Sequence, residues 1–81
     1  MSDAFDIAVD FMDMTNDMRL WVRAVDVLGE FEPAVGRHAI VGDDDAEPKV
    51  ARIVAIDAEG NLELQVLRGS VESHLDLLAQ G

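Results

Sequence analysis

Lys49-Val50-Ala51-Arg52-Ile53-Val54-Ala55-Ile56-Asp57-Ala58-Glu59-Gly60-Asn61-Leu62-Glu63-Leu64-Gln65-Val66-Leu67 is the stretch that decides the fold. Two runs rich in Val, Ile and Leu flank Ala58-Glu59-Gly60, and a three-residue loop with glycine in the left-handed position is a recurrent hairpin connection. Pairing Asp57 with Asn61 sets Ile56 opposite Leu62 and Val54 opposite Leu64 in the core. The other face still carries Ala51, Ile53, Ala55 and Leu67. A strand apolar on both faces is expected to be central, or packed under another element.

Upstream, residues 37–41 read as a further strand, joined to the hairpin by the acidic turn Asp43-Asp44-Asp45-Ala46-Glu47-Pro48. Residues 29–36, with Pro33, form a connecting loop. Before it, Leu20, Val22 and Ala24 alternate with Arg19, Trp21 and Arg23, which places the apolar set inside and Trp21 outside, between two arginines. The apolar phase then shifts to Val25 and Val27, predicting a bulge or sharp bend. Phe5, Ile7, Val9 and Phe11 alternate with Asp6, Ala8 and Asp10 in the same way.

A loop of Met14-Thr15-Asn16-Asp17 joins these two runs into a hairpin in the sequence reading. Its register sets Phe11 opposite Leu20 and Val9 opposite Val22, with Asp10 opposite Trp21 and diagonal to Arg19 and Arg23. The spacing of Asp3, Asp6, Asp10, Asp13 and Asp17 also suits a helical stripe. That alternative stacks like charges one turn apart and uses weak helix formers, so the strand is preferred. Downstream, Ser70 is placed to cap a short helix over residues 71–79 whose stripe is Val71, His74, Leu75 and Leu78.

The expected fold is therefore all-β: a small five-stranded antiparallel barrel with a short C-terminal helix. One domain is expected over residues 1–81, with 1–17 as N-terminal strand and hairpin loop and 70–79 as the helix. Across residues 20–67, the strand order and the Asp57-Ala58-Glu59-Gly60-Asn61 turn resemble the SH3-like class of small barrels. Ligand grooves of that class gather aromatics. One Trp, three Phe and no Tyr do not extend the resemblance to recognition of proline-rich peptides.

Composition bounds the function. At 81 residues and 49% apolar, one core is available, burying roughly 60% of the unfolded chain's surface. There is no cysteine, which excludes disulfides and thiolate metal ligation and suits a cytoplasmic home. The N-terminus has acids where a signal peptide needs bases, and no stretch approaches the ~20 apolar residues of a membrane span. Seventeen acids against six bases, a net charge of −11, repel phosphate, so direct nucleic-acid binding is not expected.

Trp21 is the first candidate for partner binding, as an outward aromatic of the kind enriched at hot spots, with Asp6, Asp10, Arg19 and Arg23 around it. Its bland alternative is a cover of Leu75 or Leu78 from the C-terminal helix, or stacking by arginine. The second candidate is Asp43, Asp44, Asp45 and Glu47. This run lacks the spaced carboxylates of a calcium loop and reads as a solvated turn, with His38 as a structural residue. Ser70, Ser73, His74 and Asp76 hold the letters of a hydrolase triad but share one short helix and cannot converge on a cleft.

No cofactor and no catalysis are expected. The leading expectation is a non-enzymatic interaction or adaptor module with a basic protein partner. The alternatives are an acidic mimic of nucleic acid that inhibits a DNA- or RNA-binding protein, and a small metal- or ligand-binding domain.

Overall fold

The computed structural model describes residues 5–43 and 47–80. Its centre is the hairpin. Strand β4 (Lys49–Ile56) and β5 (Leu62–Val66) are antiparallel. Asp57 N–H donates to the Asn61 carbonyl at 3.0 Å, and Gly60 takes the left-handed φ of 86° that the tight return requires. The Asp57 carboxylate accepts from the Glu59 and Asn61 N–H groups and from Asn61 Nδ2, each at 2.9 Å, so the loop is built by its own side chains.

The register holds for Ile56 with Leu62, but Val54 does not face Leu64. Ile53 does, because the ladder shifts between Ile53 and Ala55 and leaves Val54 as an extra residue. The physical reason is Arg52. In an unbroken ladder it shares the inner face with Val54 and Ile56, and a guanidinium there would be buried without a partner. The bulge turns Arg52 outward opposite Gln65 and brings Ala51 and Ile53 inward against Val66 and Leu64.

β3 (His38–Gly42) pairs antiparallel with β4, as the Arg37–Val41 expectation anticipated within a residue. The other two strands, β1 (Ile7–Ala8) and β2 (Arg19–Val22), do not form the expected hairpin. β2 lies antiparallel to β5, with Leu20 opposite Leu64 and Val22 opposite Leu62, while β1 runs parallel to β3, with Ile7 opposite Val41 and Ala8 opposite Gly42. The sheet order is β1-β3-β4-β5-β2, a curled half-barrel of mixed orientation and not the purely antiparallel barrel of the sequence reading.

Alternation reports which face a residue shares, not which strand lies next to it. Val9, Leu20 and Val22 do share one interior, with Ile7, Ala39, Val41, Ala51, Ile53, Leu62, Leu64 and Val66. What separates the two N-terminal runs is a turn. Asp10 Oδ1 accepts from Met12 N–H at 2.9 Å and opens a 3₁₀ turn at Phe11–Asp13, which ends the first run before it can pair with the second. β1 then settles on β3 because Gly42 admits it. A Cβ on Gly42 would stand 2.7 Å from Phe5 Cδ1, so the Phe5 ring occupies the space that glycine leaves.

The turn that leads into β2 spans Thr15 to Arg19, one residue later than anticipated: Thr15 N–H donates to the Arg19 carbonyl at 2.8 Å and Met18 takes a left-handed φ of 63°. After β2 the chain does bend sharply, in a 3₁₀ turn at Ala24–Asp26. Ala24, expected inside, is exposed. Asp26 Oδ2 accepts from Arg23 N–H at 3.1 Å and so turns the backbone out of the ladder.

The tail forms a 3₁₀ turn at Glu72–His74 that runs into α1 (Leu75–Gln80), and Ser70 Oγ accepts from Ser73 N–H at 3.3 Å, close to its expected capping role. The change of helical pitch breaks the anticipated stripe and leaves Leu75 57% exposed. α1 packs against β3. That is the outer side of the sheet, where Ile40 pairs with Val50, and Val50 is fully buried although it points away from the core.

Candidate functional site

Trp21 stands in the middle of β2, and the alternation that buries Leu20 and Val22 turns its ring outward, where it is 53% exposed. The helix does not cover it, since α1 packs on β3. No arginine stacks on it either; the cation–π contact in the structure is Arg37 over the Phe31 ring, at 4.5 Å.

Three adjoining depressions meet at Trp21. The first, about 460 Å³, lies between β2 and the chain after β1, and is lined by Ala8, Val9, Asp10, Asp13, Trp21, Val22, Arg23 and Asp26. The second runs toward the Thr15 turn and adds Asp17, Arg19 and Glu63. The third reaches the hairpin loop, with Asp57, Glu59 and Asn61. Asp10, Asp13, Asp17, Asp26, Asp57, Glu59 and Glu63 thus surround one tryptophan, and only Arg19 and Arg23 oppose them.

Both arginines are already engaged. Arg19 lies 3.9 Å from Asp17 and from Glu63 and donates through Nε to Gln65 Oε1 at 2.9 Å; Arg23 lies 3.9 Å from Asp26. Two of the carboxylates are held ionised by their own turns. The Thr15 hydroxyl donates to Asp17 Oδ1 and Asn61 donates to Asp57, and each bond holds its carboxyl below the usual aspartate range.

The sequence-predicted residues divide. Trp21, Asp10, Arg19 and Arg23 come together around the first two depressions, yet Asp10 makes neither of its expected pairings with the arginines, since Oδ1 is turned to the Met12 N–H. Asp6 is not in the group. It is half-buried at the β1–β3 seam, where its Oδ2 accepts from Ile40 N–H at 3.1 Å and its own N–H donates to the Ile40 carbonyl at 2.7 Å. A carboxylate inside the ladder ties strands together and is not available as a rim charge.

In the second candidate, Asp44 and Asp45 lie outside the described residues; Asp43 is half-buried and Glu47 exposed. His38 is half-buried on β3, opposite Arg52. Ser70 and Ser73 bond to each other across one turn, and the His74 Nε2–H donates to the Arg68 carbonyl at 2.6 Å, so these groups serve the tail's own geometry. Among the described residues no cluster of His, Asp and Glu is placed to hold a metal ion, and no helix is long and apolar enough to cross a membrane.

Asp13, Asp17, Asp26, Asp57, Glu59 and Glu63 were missed by sequence reasoning. The signal for Glu63 lay in the partner of β2: Trp21 faces Glu63 across the ladder, a pairing hidden while β2 was assigned to the N-terminal run. No known protein family, curated protein or solved structure matches the chain.

Proposed function

We propose that this chain is a non-enzymatic interaction module that binds a basic protein through the face around Trp21. The observation that carries the reading is the half-exposed Trp21 ring set among seven carboxylates, with the two nearby guanidiniums already engaged. An aromatic anchor supplies most of its contribution by slowing release, whereas an acidic rim speeds encounter with a basic surface. The half-barrel is read as an SH3-like small barrel open along one seam, and a cytoplasmic setting accords with the lack of cysteine.

The test is capture from native lysate with the wild-type chain and a Trp21→Ala variant of matched folding as baits. A stoichiometric basic protein retained by the wild type and lost by Trp21→Ala is the expected outcome. Equal capture by both baits, or an acidic partner, overturns it. A captured nucleic-acid-binding protein that free DNA or RNA displaces from both baits alike points instead to mimicry of a phosphate backbone.

A further inference from the structure

β2 is the terminal strand of the sheet, and its outer edge is open at only one residue. Val66 N–H donates to the Met18 carbonyl at 2.8 Å, so Met18 and every second residue after it, Leu20 and Val22, turn their backbone groups toward β5. Arg19, Trp21 and Arg23 turn theirs away. At Arg19 the edge is closed, because its carbonyl accepts from Thr15 N–H at 2.8 Å and its N–H donates to Thr15 Oγ1 at 3.2 Å. At Arg23 it is closed again, by Asp26 Oδ2 on its N–H at 3.1 Å and by Asp26 N–H on its carbonyl at 2.9 Å. Between these two stops, the N–H and carbonyl of Trp21 lie on the open edge, and Trp21 lines the adjoining depression with Asp10, Asp13 and Asp26.

We infer that the basic partner enters this seam as an extended segment, one residue of which exchanges both backbone hydrogen bonds with Trp21 while flanking Lys or Arg side chains reach Asp10 and Asp13. This rests on the reading of the Trp21 face as the binding face and adds the mode of attachment. Strand addition supplies main-chain bonds whatever the partner's sequence, and the side chains around it supply the choice. The two stops limit the addition to a single register, because a neighbour shifted by one residue would meet amides already bonded. A second copy of the chain is a poor occupant: each copy has a net charge of −11 and would bring acids against acids.

The test uses the ¹⁵N-labelled full chain at low salt with an eight-residue peptide of alternating Lys and Val, and the same peptide with every amide N-methylated. The expected result is slowing of Trp21 amide exchange by about tenfold or more, no change at the already bonded Leu20 and Val22 amides, and loss of binding on N-methylation. An Asp13→Asn variant should weaken the peptide without moving the melting temperature. Shifts of the Trp21 indole with unchanged amide exchange, or equal binding of the N-methylated peptide, overturn strand addition and leave the binding face standing. No shift at the Trp21 face up to millimolar peptide overturns both.

Discussion

Arg19 faces Gln65 across the β2–β5 ladder, and the two side chains meet: Arg19 Nε donates to Gln65 Oε1 at 2.9 Å. The same Gln65 amide turns its Nε2 onto the carbonyls of Asp17, at 2.8 Å, and Met18, at 3.2 Å. One side chain therefore holds the turn that delivers Trp21, including the left-handed Met18. Gln65→Ala should cost about 1–2 kcal/mol, the range for losing hydrogen bonds to half-buried groups. Urea unfolding measures the loss. Amide exchange should quicken at Thr15 to Arg19 and stay unchanged in the Asp57–Asn61 loop; equal quickening in both would show that Gln65 supports the whole sheet and not the turn.

The bulge predicts an asymmetry between adjacent residues. Ile53 is fully buried and faces Leu64, whereas Val54 is the extra residue and only half-buried. Ile53→Ala should cost about 2–5 kcal/mol and Val54→Ala about 1 kcal/mol or less. Equal costs in a denaturant titration would mean that the ladder runs unbroken.

This pair also shows how far the sequence could be read. The hairpin, its loop residues, the central place of β4 and the outward Trp21 all follow from alternation and glycine placement, which are local properties. The bulge was missed, although its signal was present: Arg52 falls in phase with Val54 and Ile56, where a regular strand would bury it. The partners of β1 and β2 were not visible. Val9 and Val22 do lie in one core, but period-2 patterning is silent on which edges meet, and the Asp10 carboxylate that ends the first run looks in the sequence like any outward acid. The rim around Trp21 was lost with that pairing, because Glu63, Asp57 and Glu59 reach it only through β5 and its loop.

Acid should weaken the hairpin loop through Asp57. Its folded carboxyl is held below the ordinary value by Asn61, so its contribution is complete above an unfolded pKa of about 3.9 and is lost as pH falls through the lower folded value. Asp57→Ala should lower the melting temperature at pH 7, and the gap from the wild type should narrow steadily below pH about 4. A gap independent of pH down to 2 would assign the effect to loop conformation and not to the charge.

Salt should stabilise the fold. The ion pairs of Arg19 with Asp17 and Glu63, and of Arg23 with Asp26, are all at 3.9 Å on the surface, and such pairs contribute about 1 kcal/mol or less each. Against them stands the self-repulsion of a chain with net charge −11. Melting followed by circular dichroism from 10 mM to 500 mM NaCl should therefore rise with salt, where a Debye length of roughly 30 Å shrinks below 10 Å. A steady fall would place the local pairs above the global field.

The parallel seat of β1 sets an order of events in folding. Its contacts with β3 join residues 34 apart, as Asp6 to Ile40, and those of β2 with β5 join residues 46 apart, as Arg19 to Gln65, whereas the β4–β5 hairpin closes over a three-residue loop. Closure entropy favours the short loop first, and hairpins form in about 1–10 μs. The β3-β4-β5 meander should therefore populate the transition state, with β1 docking afterward: Ile53→Val should slow folding, while Ile7→Val should mainly speed unfolding. During synthesis the first strand emerges well before β3, and until the chain has grown past Gly42 its available backbone partners are Val27, bridged to Ile7, and Leu28, whose N–H donates to the Asp6 carbonyl at 2.8 Å.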